Sequence, residues 1–460
     1  MMELKGKKVL VVGLGKSGLA AALFLRHRGA HVTVSDVRSA EALAKDIPAL
    51  LEEGIMVEAG GHGLLTFRRQ DLIVVSPGVP LDTPELEQVK SFGLPVIGEL
   101  ELAARFIKGK MLAITGSNGK TTTTSLVGEI LEKAGIPTLV GGNIGVPVVA
   151  LIDESTDETW SVLEVSSFQL ESTDEFHPSI AVILNITPDH LDRHGSFENY
   201  ARAKERIFAA QDENDFVVLN ADNSRAAEAA SRSQAKVYWF SVEHPVPQGA
   251  WLEQGSLVYR AVADGPTETV MPLSGIPLKG AHNVENVLAA VCAARLAGAP
   301  VEAIRQAIEA FQAVEHRLEF VSRINGVEYY NDSKATNVDA TAKAVASFFS
   351  GIHLILGGKD KGSDYTQLAD LLRARVRAVY TIGSAAAKIE SHLRGVVPIQ
   401  SCETLDNAVT AAANAARPGE VVLLAPACSS FDQFESYEHR GRVFKELVSE
   451  RRGWKVWQNA

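Results

Sequence analysis

The sequence predicts an α/β protein of three tandem domains, with boundaries expected at residues 1–98, 99–313 and 314–460. Apolar strand-like runs alternate with helical segments along nearly the whole chain, the pattern of parallel, doubly wound sheets. The alternation breaks once, between Ala250 and Lys279, into short runs with Gly255, Gly265 and Gly275 at turns, as in a small antiparallel sheet. At 460 residues, 46% hydrophobic and 22% charged, the chain is too long for one ordinary domain and can bury a core in each of several.

Composition narrows the function classes. A formal net charge of −11 argues against nucleic acid or an anionic membrane as the main partner. Cys292, Cys402 and Cys428 have no ligand-like spacing, so a reduced compartment is expected. Lys5, Lys7 and Lys8 precede an apolar run that Gly13, Gly15 and Lys16 interrupt, so the N-terminus reads as a first strand. No apolar stretch reaches bilayer-spanning length, and a soluble, cytoplasmic protein is expected.

In the first domain Lys8 to Val12 is a strand, Gly18 to Gly29 a helix, and His31 to Ser35 and Asp71 to Ser76 are strands. Gly13-Leu14-Gly15-Lys16-Ser17-Gly18 fits G-x-G-x-x-G, and Asp36 ends the next strand, where a ribose-binding acid would sit. This describes a Rossmann-like domain. The motif reports a nucleotide or pyrophosphate near a helix N-terminus, not hydride chemistry, so an NAD-dependent enzyme is only one reading.

In the second, Met111 to Thr115 is a strand that breaks at Gly116 into Ser117-Asn118-Gly119-Lys120-Thr121 and a helix reaching about Lys133. Backbone N–H groups and a helix N-terminus suit phosphate oxygens; Lys120 adds a cation, and Thr121 a hydroxyl for Mg²⁺. Ile114 stands where a P-loop has its first glycine, and a plain turn with a solvated lysine is the alternative. Further strands are expected at Ser161 to Val165, Ile180 to Ile186 and Phe216 to Asn220, with helices at Asn283 to Ala297 and Val301 to Phe311. Glu164, near the end of a buried strand, needs a metal or a hydrogen-bond partner. Thr187-Pro188-Asp189-His190-Leu191-Asp192 offers oxygens and one imidazole, suited to Mg²⁺ rather than zinc, or else a capped helix with a bonded His190.

Lys204 lies on the apolar stripe of a helix expected from Phe197 to Ala210, beside Tyr200, Ala201, Ile207 and Phe208. Either its stem packs while the ammonium reaches water, or burial frees an amine able to form a carbamate with CO₂. The spacing leaves both readings open.

The third domain starts near Glu315, with strands at Val327 to Tyr330, His353 to Leu356, Val379 to Ile382 and Val421 to Ala425. Arg317, at the seam, would grip phosphate or form a structural salt bridge. Three polar loops, Tyr330 to Asn337, Gly357 to Gly362 and Ala427 to Phe434, follow strands at the usual ligand edge. Each alone could be a turn. Together they describe a pocket for a small acidic molecule and one side of a nucleotide.

Taken together, Thr115 to Thr121, Gly141-Gly142-Asn143-Ile144-Gly145, Glu164 to Leu170, Asn331 to Asn337 and Ala427 to Phe434 resemble the Mur ligases of peptidoglycan synthesis, over essentially the whole chain. The resemblance is to the branch that adds D-glutamate. Ser117 replaces a more usual threonine, and Tyr437 falls where phenylalanine is expected. The resemblance implies that the first domain binds the UDP end of UDP-N-acetylmuramoyl-L-alanine, the second ATP and two Mg²⁺ ions, and the third D-glutamate. It implies that Gly116, Asn118, Gly119, Lys120, Thr121, Thr122, Asn286, Arg317 and Asp332 hold ATP, with Lys334 near the transferred phosphate. Thr121, Glu164, His190 and a carbamate on Lys204 would be metal ligands; Lys120, His190, Lys204 and Lys334 would serve catalysis. Asn143 would meet the muramoyl peptide, Ser166 and Gln169 would be substrate-binding, Thr336, Lys361, Ser430 and Tyr437 would bind the amino acid, and Ser17, Asp36 and Arg38 the uridine and diphosphate side. A monomer with no nucleic-acid or membrane partner is expected. A folylpolyglutamate-type ligase and a non-ligating phosphate-loop switch are the rival readings.

Overall fold

The computed structural model describes residues 2–278, 280–312 and 315–453. Lys279 and the expected domain boundary at 313–314 lie outside the described residues. The described chain forms two compact units.

One unit comprises residues up to Ile186, Glu198–Gly275 and Asn286–Glu309. Its first sheet contains β1 (Lys8–Val12), β2 (His31–Asp36), β3 (Met56–Ala59), β4 (Leu72–Val75) and β5 (Val96–Gly98), parallel in the order β3-β2-β1-β4-β5. The β1 residues Val9 to Val12 are fully buried, as a strand covered on both faces must be. The following helix begins at Lys16, two residues earlier than expected. A Cβ on Gly18 would lie 1.9 Å from the Gly13 carbonyl oxygen, so only glycine lets the helix sit this close to the turn.

The second sheet contains β6 (Lys110–Thr115), β7 (Thr138–Gly142), β8 (Trp160–Glu164), β9 (Ile180–Ile183), β10 (Phe216–Asn220), β11 (Lys236–Ser241), β12 (Gly249–Glu253), β13 (Ser256–Arg260) and β14 (Thr267–Pro272). Its order is β14-β13-β12-β11-β10-β9-β6-β8-β7. The antiparallel strands expected after Ala250 are β12–β14, and they extend this sheet, because β12 pairs in parallel with β11. With β6 between β8 and β9, the loops after all three strands leave the same edge.

The other unit comprises Thr187–Phe197, Ile276–Glu285 and the chain from Ala310 onward. Its sheet contains β15 (Glu319–Ile324), β16 (Val327–Asn331), β17 (Ile352–Gly357), β18 (Val376–Ile382), β19 (Ile399–Glu403) and β20 (Val421–Leu424), ordered β15-β16-β20-β17-β18-β19. All its pairs are parallel except β15 with β16. Two apolar layers cover its faces, one including Val345, Leu368 and Leu372, the other Val409, Phe444 and Val448.

Candidate functional site

In the first unit the turn after β6 is closed by Gly119 at φ 89°, and a Cβ there would meet Asn286 Oδ1 at 2.1 Å. The helix Lys120–Lys133 then starts with Thr121 and Thr122 buried. Lys120 folds over its own loop, donating to the Gly116 carbonyl at 2.8 Å and the Ser117 carbonyl at 3.0 Å. Thr121 Oγ1 donates to Glu164 Oε2 at 2.8 Å, and Asn143 Nδ2 donates to Glu164 Oε1 at 2.9 Å. The structure therefore brings Lys120, Thr121, Asn143 and Glu164 together. A buried hydroxyl and carboxylate beside a phosphate loop are the hard oxygen donors that suit Mg²⁺.

Lys204 is 1% exposed, so its head does not snorkel to water. Nζ donates to the same Gly116 carbonyl at 2.9 Å and lies 4.6 Å from the centroid of the Tyr200 ring. Tyr200 in turn shares a 3.0 Å hydrogen bond with Ser117 Oγ. The helix carrying Lys204 ends at Glu205 and tightens to a 3-10 turn over Arg206–Phe208, short of the expected Ala210.

Two expected substrate residues are engaged in local structure. The Ser166 hydroxyl accepts from the Gln169 amide at 3.2 Å, while Gln169 Oε1 accepts from the Ser166 amide at 3.0 Å, a reciprocal cap on the helix Ser167–Leu170. Asp36 is likewise occupied. Its oxygens accept from the Leu14 amide at 2.7 Å, the Arg38 amide at 2.8 Å, and Arg38 Nε and Nη2 at 3.0 and 2.8 Å. Burial alone would raise its pKa; the Arg38 bonds and the two amides overcome that and hold it at about 2. Arg38 Nη2 also donates to the Leu14 carbonyl, so this pair braces the Gly13–Gly18 turn. Ser17 lies half-buried in the first turn of the helix Lys16–His27.

In the second unit Asp189 is the hub. It accepts from Asn337 Nδ2 at 3.0 Å and the His190 amide at 2.9 Å, and lies 3.5 Å from Lys361 Nζ. His190 sits at φ 53°, its Nε2 3.6 Å from Asp189. A cavity of about 330 Å³ opens here, lined by Thr187, Asp189, His190, Asp339, Lys361 and Gln367 among others. Asp332 accepts from the Leu318 amide at 3.2 Å; burial, against the attraction of Arg317, pushes its pKa up to about 6. Lys334 Nζ lies 4.9 Å from the centroid of the Tyr437 ring, and the Thr336 amide turns back onto the Lys334 carbonyl.

Sequence reading missed Arg440, which is fully buried. Its guanidinium donates to Ser333 Oγ at 3.0 Å and to the carbonyls of Ser333, Cys428 and Ser429 at 2.8, 3.1 and 3.3 Å. Burial lowers its pKa to about 10. One cation thus joins the loop of Ser333 and Thr336 to the loop of Ser430. Its apolar helix neighbours Val443 and Phe444 carried the same signal that exposed Lys204.

A phosphate loop at the edge of a central sheet, flanked in sequence by two further α/β sheets, defines a tandem α/β phosphate-binding protein. Three family profiles cover most of the chain: "Mur ligase MurD-like, N-terminal domain" over 7–98, "Mur ligase middle domain" over 114–294 and "Mur ligase, glutamate ligase domain" over 316–428. The chain belongs to the Mur ligase family. It is 71% identical over 459 residues to the UDP-N-acetylmuramoylalanine–D-glutamate ligase of Acidobacterium capsulatum, covering 100% of both chains. Identity to the enzyme of the same name from Koribacter versatilis is 61%, covering 97% of this chain and 98% of that one. In fold it is similar to the UDP-N-acetylmuramate-alanine ligase MurC of Thermotoga maritima, with TM-score 0.61 and 21% identity, covering 97% of this chain and 100% of that one. No helix among the described residues is long and apolar enough to cross a membrane.

Proposed function

We infer that the chain is an ATP-dependent ligase that joins D-glutamate to UDP-N-acetylmuramoyl-L-alanine in peptidoglycan precursor synthesis. The full-length 71% identity to a ligase of that name carries the reading. The buried cluster around Lys120 supplies a chemical reason for it.

A carboxylate does not acylate an amine in water at a useful rate, so its oxygen must become a leaving group. The alanine carboxylate attacks the γ-phosphorus of ATP, ADP leaves, and an acyl phosphate forms. The D-glutamate amine attacks the acyl carbon, a tetrahedral adduct expels phosphate, and the amine proton passes to a base, for which His190 is the candidate. Lys120 offsets charge on the transferred phosphoryl group, with Gly116, Asn118, Gly119 and Thr122 shaping its cradle. Asn286, Arg317 and Asp332 are assigned to ATP and Lys334 to the phosphate in transit. Lys361, Thr336, Ser430 and Tyr437 hold the amino acid, and Asn143 the muramoyl peptide. Thr121, Glu164, His190 and a carbamylated Lys204 are assigned to Mg²⁺, which when bound neutralises phosphate charge. Lys204 first has to release the Gly116 carbonyl and lose a proton. Domain boundaries at 98/99 and 313/314 and a monomeric state belong to the same reading.

The test is phosphate release from ATP and UDP-N-acetylmuramoyl-L-alanine with each amino acid in turn. D-glutamate should stimulate release and L-glutamate should not; release without any acceptor would instead favour a phosphate-loop switch. Lys204→Ala should lose most turnover, with partial recovery in short-chain carboxylates; full turnover would remove the carbamate from the scheme.

A further inference from the structure

Asn185 stands just past the carboxyl end of β9, the strand beside β6, and is 5% exposed. Its backbone carbonyl accepts from the Ser117 amide at 2.9 Å. Its side chain grips the next loop residue from both sides: Oδ1 accepts from the Asn118 amide at 2.9 Å, and Nδ2 donates to the Asn118 carbonyl at 3.1 Å. A group that gives and accepts on one residue's backbone fixes both the height and the rotation of that segment. An ionised carboxylate, which only accepts, cannot do this.

The clamp is itself held from the end of β10 and the turn that follows it. Asn220 Nδ2 donates to the Leu184 carbonyl at 3.0 Å, and Asn223 Oδ1 accepts from the Ile186 amide at 3.2 Å. Backbone on either side of Asn185 is therefore fixed by two more asparagines. These side-chain links are uncharged.

From this geometry we propose that Asn185 is a positioning residue for the nucleotide, holding the Gly116–Lys120 turn in the shape that meets phosphate. A neutral two-way clamp does so without placing negative charge beneath a polyanion. The inference rests on the ATP reading above.

Asn185→Asp keeps the size and the acceptor, removes the donor to Asn118 and adds a charge under the loop. ADP is the probe, titrated calorimetrically against the full chain, beside the KM of each substrate and the melting temperature. At pH 8 the variant should bind ADP roughly 10- to 100-fold more weakly. The KM for ATP should rise with it, while the other two KM values stay within about twofold. Asn185→Ala, which adds no charge, should show a smaller deficit.

Unaltered ADP binding in Asn185→Asp, or a uniform rise in all three KM values, would overturn the clamp. Should Asn185→Asp not fold, Asn185→Ala carries the same split among KM values. A wild type that neither binds ADP nor releases phosphate would overturn the ATP reading itself, and the clamp with it.

Discussion

Two aspartates sit at strand ends in different sheets, each with a leucine amide and an arginine nearby, yet their circumstances are opposite. Asp36 ends β2 and takes Arg38 through two side-chain nitrogens, which holds its carboxyl at about 2. Asp332 follows β16 and accepts from Leu318, but burial outweighs the pull of Arg317 and lifts its carboxyl to about 6. The first carboxylate is saturated by its own turn. The second is held where its charge is costly, and a donor or cation brought by a ligand would relieve it. Sequence position assigned both to ligands; their surroundings make one a brace and leave the other poised.

The largest effect should come from Asp332→Asn. Turnover should fall roughly a hundredfold or more, in the range seen when a single polar group is removed from a charged reacting site. At pH 8, however, the melting temperature should equal or exceed that of the wild type, since a costly buried charge is gone. Loss of both activity and stability would make Asp332 a second brace and erase the contrast.

Asp36→Asn should show the converse. Urea unfolding should register a loss of about 1.5–3 kcal/mol, the usual worth of a hydrogen bond to a charged group, with turnover at saturating substrate little changed. A collapse in turnover without loss of stability would instead support Asp36 as a substrate contact.

The smallest effect lies in the pH dependence. Lowered from 3.8 to about 2, Asp36 stabilises the fold above pH 4, and this contribution fades as pH falls toward 2. Raised from 3.8 to about 6, Asp332 acts in the other direction. Between these pH values the folded chain keeps a proton that the unfolded chain has lost, so stability declines as pH rises from 4 to 6. The melting difference between wild type and Asp332→Asn should therefore vanish below about pH 4, where that of Asp36→Asn is only beginning to shrink.

Much of the fold could be read because buried parallel strands are apolar runs: Val9 to Val12 and Phe216 to Asn220 coincide with β1 and β10. Strands such as Met56–Ala59, which is partly exposed, and Thr138–Gly142, which ends in two glycines, lack that signature and depend on their neighbours. The phosphate loop was legible for the same local reason: glycine, lysine and threonine act within a few residues of one another. Helical spacing, also local, put Lys204 on an apolar stripe but left snorkelling and burial open; only the fold shows it buried. What escaped was long-range. Nothing near Asn185 in sequence points to Asn118. Arg38 stands only two residues from Asp36, but its fold-back onto the Leu14 carbonyl is a tertiary event.

Arg440 ties its own helix to a loop 107 residues earlier in the chain. During synthesis Ser333 and its neighbours leave the ribosome long before the guanidinium that fixes them exists. At ribosomal elongation speeds of about 5–20 residues per second that interval is several seconds or more. Until this late residue arrives, the loops of Ser333 and of Cys428 and Ser429 lack the guanidinium that joins them in the folded chain.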